Sequence, residues 1–220
     1  MAKKDWEGFR SSLSFALRIV NFVTIPATVG LFVLSYPITE VLFMRGEFGA
    51  EASAGTAVAL YYYALGLVPV STSRILTSVF YSVKDTATPV WIAFFAFIVN
   101  AILCFLLVGP LGHAGLALAT SLSSAVNMVA LLLVLKKRFG RFGGRLIFTS
   151  ALKSSVASLI MGGVIYLIIF KADFGVMGVT FKALLLASCL LIGFLVYIGT
   201  ARALRTPEMT FLKGILRKRG

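Results

Sequence analysis

The sequence predicts an all-α fold, a polytopic transmembrane bundle of six helices. Three observations carry that prediction: six apolar stretches each long enough to cross a bilayer, basic residues gathered into alternate connections, and a mean hydropathy of +0.97. A hydrocarbon core of ~30 Å needs ~20 helical residues at 1.5 Å per residue. The hydrophobic content of 59% also exceeds the ~45–50% usual for soluble domains.

The first stretch, Leu13 to Phe43, is too long for one perpendicular helix and carries Pro26 and Pro37. Each proline lacks the backbone donor and crowds the carbonyl four residues back, so a kink at Pro26 and a break near Pro37 are expected. Tyr36 and Glu40 then fall at the far interface, ahead of the loop Met44 to Phe48. A kinked entry helix suits a moving part, although membrane helices also tolerate proline without functional meaning. The second stretch, Ala52 to Ser82, contains the polar run Ser71-Thr72-Ser73-Arg74, followed by Thr77 and Ser78.

The third and fourth stretches, Pro89 to Val108 and Ala114 to Leu135, are joined by Gly109-Pro110-Leu111-Gly112-His113, which reads as a short loop. They carry Asn100 and Asn127, for which interhelical hydrogen bonding is the commoner role. The fifth and sixth run from Ile147 to Phe170 and from Met177 to Ala201. Cys104 and Cys189 lie within spans and lack CxxC or CxxH spacing, so they read as small apolar fillers and not as metal ligands or a disulfide.

The connections set the orientation. Lys3, Lys4 and Arg10 precede the first span, Lys84 separates the second and third, and Lys136, Lys137, Arg138, Arg141 and Arg145 separate the fourth and fifth. Arg202, Arg205, Lys213, Arg217, Lys218 and Arg219 follow the sixth, whereas the alternate loops hold only Arg45 and Lys171. Lys and Arg concentrate on the cytoplasmic side, so both termini are expected there. The formal net charge of +13 then belongs to one membrane face, where it attracts anionic headgroups. Nucleic acid is not an expected partner, because no basic surface is interleaved with aromatics.

The N-terminus, polar from Met1 to Arg10 and followed by a long apolar run, does not read as a signal peptide. Residues 1–136 form four spans, 137–146 a basic loop, 147–204 two further spans and 205–220 a basic tail, with a seam expected at the loop.

Chemistry is sought among polar residues inside the spans. His113 is the lone histidine and no carboxylate is predicted deep in a span, so no catalytic group, metal site or cofactor is expected. Gly143-Gly144 is no phosphate loop. Arg18 and Lys153 each lie about eight residues from a cytoplasmic end and Lys182 lies near the outer end of the sixth span, so all three can snorkel. Arg74 is roughly 12 Å deep at helical rise. Its hydroxyl-rich neighbours fit a water-filled cavity facing the bundle interior; snorkelling, with the hydroxyls bonded to helix carbonyls, is the competing reading. Arg74, Arg18, Ser71, Ser73, Asn100 and Asn127 are the candidate substrate-binding residues.

Several segments occur together in one order: Asp5-Trp6-Glu7-Gly8-Phe9-Arg10, Leu17-Arg18-Ile19-Val20 leading to Ile25-Pro26-Ala27, and Leu42-Phe43-Met44-Arg45-Gly46-Glu47-Phe48. Phe80-Tyr81-Ser82 with Asp85-Thr86-Ala87-Thr88-Pro89 follows, then Gly112-His113-Ala114-Gly115-Leu116-Ala117-Leu118-Ala119-Thr120-Ser121-Leu122 and Asn127. Together they resemble the C-terminal portion of the MurJ (MviN) family of lipid II flippases, within the multidrug/oligosaccharidyl-lipid/polysaccharide exporter superfamily. Residues 147–204 match only in supplying two further hydrophobic helices.

The resemblance implies a partial fold of a fourteen-helix transporter in the bacterial inner membrane. The first four spans would complete its second lobe, and the last two a membrane-open groove for a lipid tail. It implies a lipid-linked peptidoglycan precursor and membrane lipids as partners, with the missing N-terminal helices on a separate chain or in an unbroken parent. Arg74 falls on a position where relatives can carry a Lys or Arg facing the central cavity; the family's best-known essential charges lie in earlier helices. The expected function is therefore the C-terminal part of a flippase working by alternating access. Alternatives are a truncated membrane scaffold, or a related exporter of other lipid-linked oligosaccharides or drugs.

Overall fold

A computed structural model of the chain describes residues 6–43, 49–140, 142–172 and 178–209. Six long helices follow in order: α1 (Trp6–Phe43), α2 (Ala50–Ser82), α3 (Ala87–Leu111), α4 (His113–Phe139), α5 (Gly144–Lys171) and α6 (Val179–Ala203). All six are long and apolar enough to cross a membrane, in agreement with the hydropathy reading. Lys3, Lys4, Arg45, Arg141, Lys213, Arg217, Lys218, Arg219 and the loop from Met44 to Phe48 lie outside the described residues.

The helices overrun the apolar stretches at their ends. α4 continues through Lys136, Lys137 and Arg138, where cations complement the partial negative charge of a helix C-terminus. It stops at Gly140, whose φ of 74° favours a residue without a Cβ. The expected loop between the third and fourth spans shrinks to Gly112, with His113 already the first residue of α4.

α1 corrects the expectation of a break, since it passes Pro26 and Pro37 without interruption. A helix end inside lipid would expose carbonyls that nothing there can satisfy. Near Pro37, Ser35 Oγ donates to Phe32 O at 3.2 Å, and Thr39 Oγ1 donates to Ser35 O at 3.0 Å. Pro26 has no N–H for Phe22 O, and the Tyr197 hydroxyl of α6 donates to that carbonyl at 2.6 Å instead.

α1 is shared by two cores. Leu13 and Leu17 pack with Leu76 and Phe80 of α2 and Leu131 and Leu135 of α4. Phe22 and Leu34 pack with Ala157, Met161 and Ile165 of α5 and with Cys189, Tyr197 and Ala201 of α6. α3 leans chiefly on α4, and the rest of its surface is apolar and exposed, including Trp91, Phe97 and Phe105.

Lipid tails are as apolar as leucine, so close packing and polar contacts between helices decide which faces meet. Small residues mark those faces. A Cβ at Gly66 of α2 would lie 2.7 Å from Ser121 Oγ of α4, which itself donates to Tyr62 O at 2.7 Å. α5 turns Ser150, Ser154, Ala157 and Ser158 inward, all buried. A Cβ at Gly115 would collide with the Leu107 carbonyl across the α3–α4 turn. Backbone cannot rotate away, so Gly115→Ala is expected to destabilise the hairpin by about 1–3 kcal/mol. Lower accumulation in membranes and a lower melting temperature would be measured; unchanged values would show that the hairpin opens at little cost.

The corner between α2 and α3 is pinned by Asp85. Its carboxylate accepts the Thr88 hydroxyl at 2.6 Å and the Thr88 N–H at 3.0 Å, and it pairs with Arg138 at the end of α4. The Thr88 hydroxyl, then its N–H, hold the Asp85 carboxyl below its usual range, with Arg138 adding to them against partial desolvation.

Candidate functional site

α2 and α4 run side by side and enclose a polar concavity of about 390 Å³, lined by Val70, Ser73, Arg74, Thr77, Ser78, Ser124 and Asn127. The α2 residues come from adjacent turns of one helix face, at spacings of three and four. Arg74 is exposed, and the ion pairs among the described residues do not include it. Ser73 Oγ and Asn127 Oδ1 are buried there without a hydrogen-bond partner among the described residues. A fixed cation beside unfilled polar atoms is an arrangement suited to an anionic, hydrogen-bonding ligand.

A second concavity of about 240 Å³ adjoins it between α3 and α4 and shares Ser124 and Asn127. Asn100 lines it and donates through Nδ2 to Ser123 Oγ at 3.2 Å. Four of the candidate residues, Arg74, Ser73, Asn127 and Asn100, therefore line adjoining spaces. Thr120, Ser123, Ser124 and Asn127 recur at three- and four-residue steps along α4. That periodicity is the signal by which Thr120, Ser123 and Ser124, absent from the sequence candidates, could have been found.

The remaining two candidates lie elsewhere. Ser71 is half-buried on α2 and lines neither concavity. Arg18 of α1 lines neither concavity; its guanidinium lies 6.0 Å from the Phe15 ring and 3.6 Å from the buried carboxylate of Glu208, just beyond α6. Thr72, inside the polar run, turns toward α1 and lies 3.4 Å from Asn21 Oδ1.

Lys182 corrects a second expectation. It does not snorkel outward: its Nζ lies 2.6 Å from Glu40 Oε1, and both side chains are less than a tenth exposed. Lys153 Nζ donates to Arg205 O at 3.3 Å.

A third space, about 490 Å³, is almost wholly apolar and lies between α1, α5 and α6. α1 contributes the largest share of its wall, from Phe22 through Pro26 and Gly30 to Ile38, while Leu190, Gly193 and Phe194 come from α6. Its lining suits an apolar chain. Among the described residues no group of three or more His, Cys, Asp or Glu could hold a metal ion.

Comparison with known proteins extends the sequence resemblance. A family model described as lipid II flippase MurJ matches residues 1–199. The probable lipid II flippase MurJ of Rickettsia prowazekii is 31% identical over 198 residues, which cover 86% of this chain and 38% of that protein. The corresponding protein of Bdellovibrio bacteriovorus is 30% identical over 207 residues, covering 94% of this chain and 39% of its own. Among solved structures, a lipid II flippase MurJ in an inward closed conformation superposes with a TM-score of 0.76 at 29% identity, covering 94% of this chain and 41% of that one. The chain thus spans about two fifths of the length of the proteins it matches.

Proposed function

The chain belongs to the lipid II flippase MurJ family, and from that membership we propose that it supplies one wall of a flippase for the undecaprenyl-linked peptidoglycan precursor in the bacterial inner membrane. The observation that carries this reading is Arg74, an exposed cation without an ionic partner among the described residues, beside the unfilled Ser73 and Asn127. A pyrophosphate and sugar head cannot cross hydrocarbon bare. The α2–α4 concavity receives that head, and the apolar groove of α1, α5 and α6 holds part of the tail.

Residues 1–136 act as the end of the second lobe and residues 147–204 as the groove-forming pair, joined by the basic segment 137–146, within which α4 ends and α5 begins. Further helices, on a separate polypeptide or in a longer parent chain, close the other side of the cavity, and the two lobes rock to expose it alternately to each membrane face. Both termini and the basic loop are cytoplasmic.

Two experiments test this reading. With Cys104 and Cys189 replaced, a single cysteine at Gly112 is expected to react with an impermeant maleimide in intact cells and one at Gly140 is not; the reverse pattern would overturn the orientation. In cells depleted of their flippase, the chain alone is expected not to restore growth or lipid II flipping, whereas co-expression with the N-terminal helices of a relative restores both. Full rescue by residues 1–220 alone contradicts the half-cavity reading.

A further inference from the structure

We propose that the Glu40–Lys182 ion pair is a positioning clamp: it holds one end of α6 against α1 and so keeps the apolar groove shaped for a linear hydrocarbon chain. The inference rests on the groove's assignment to a lipid tail. α1 and α6 each pack on α5 and meet directly where the Phe22 and Tyr197 rings lie 5.1 Å apart, and the groove lies between them beyond that contact. Burial of apolar side chains drives no association within lipid, so close packing and polar contacts together set their separation.

Those contacts are few and placed at the groove's limits. Lys182 and Glu40 meet at 2.6 Å beyond Ile38, the last α1 residue of the lining. Tyr197 Oη reaches Phe22 O at the other limit, and Arg18 with Glu208 lies one helical turn further on. Between Phe22 and Glu40, α1 runs roughly 27 Å, and over that length the groove walls carry no other hydrogen bond between α1 and α6 among the described residues.

The charges explain why this contact can act as a clamp. Glu40 and Lys182 are 7% and 8% exposed, and Glu40 Oε2 has no hydrogen-bond partner among the described residues. A buried charge without a counter-ion is strongly unfavourable, and Glu40 finds its cation in Lys182. Separation of α6 from α1 must therefore break the pair or carry a charge toward lipid. A pair that served only to fill space would not set the width of the groove.

The test uses the full chain in lipid nanodiscs, with Cys104→Ser and Cys189→Ala as background. Nitroxides at Leu42→Cys and Leu184→Cys, both exposed positions, report the α1–α6 distance by pulsed electron resonance. A benzophenone-bearing polyprenyl phosphate reports labelling of the groove. Glu40→Gln and Lys182→Met are each expected to broaden the distance distribution and lower labelling on the order of tenfold, and the exchange Glu40→Lys with Lys182→Glu to restore both. If the single variants do not accumulate, Glu40→Gln with Lys182→Gln, which leaves no unpaired charge, is expected to accumulate and still broaden the distribution.

An unchanged distribution in the accumulated single or neutral double variants, or failure of the accumulated charge exchange to restore it, overturns the clamp. Absence of labelling in the unaltered chain instead overturns the lipid-tail reading of the groove, and the distance measurement still decides the clamp.

Discussion

Arg74→Ala in the assembled transporter is expected to lower lipid II flipping by about 10- to 150-fold without lowering protein abundance. The magnitude follows from removing a charged hydrogen-bonding partner, about 1.5–3 kcal/mol, at 1.4 kcal/mol per factor of ten. Abundance should hold because Arg74 is exposed and has no ionic partner among the described residues. Arg74→Lys keeps the charge but loses the planar fork and should retain part of the activity; Arg74→Gln should resemble Ala. A snorkelling arginine would behave differently, with Arg74→Gln flipping normally. Flipping in vesicles, normalised to protein measured by immunoblot, separates the two, and normal transport by a well-accumulated Arg74→Ala protein removes Arg74 from the site.

Gly30→Phe should be nearly as damaging for an unrelated reason. Gly30 lines the groove, and a Cβ built there meets only Met161 Cε, at 4.0 Å. Ala therefore fits, and helix propensity slightly favours it, whereas a phenyl ring projects into the space assigned to the tail. Forcing a chain past it costs about 1–3 kcal/mol by analogy with an overpacked core, so transport should fall on the order of tenfold while Gly30→Ala stays near the parent. Gly162 and Gly193 are the contrast: a Cβ at either lies 2.7 Å from Val29 Cγ1 or Ile165 Cδ1. Bulk there should reduce accumulation before it reduces flipping. A Gly30→Phe protein that transports normally would show that the tail passes elsewhere.

The extent to which all this was readable from residues alone varies with the length scale involved. The six spans follow from length and apolarity, properties of each segment by itself, and were legible. So was the placing of Arg74 beside Ser73, Thr77 and Ser78, because these hydroxyl neighbours are sequence neighbours on one helix. Its meeting with Asn127 and Ser124 depends on how α2 and α4 are rotated about their axes, which hydropathy does not specify when most of each surface is apolar.

Arg18 and Lys182 show the same limit more sharply. Sequence places each at a depth along its own helix, and depth alone suggests snorkelling. Glu208 and Glu40 supply the partners, and both come from distant segments. Pro37 failed as a break signal for a different reason: the rule that proline ends helices assumes water is present to take up the released carbonyls, and lipid supplies none.

The Glu40–Lys182 pair also imposes a delay during synthesis. Lys182 follows Glu40 by 142 residues, which at ~5–20 residues per second is roughly 7–30 s of translation. Throughout that interval α1 presents a carboxylate to its surroundings before its counter-ion exists. The nascent helix waits at the insertion machinery or leans toward the aqueous interface until α6 arrives. Pairing of α1 is thus completed only by α6, and a ribosome that stalls within α5 would leave a membrane intermediate with an unmatched Glu40.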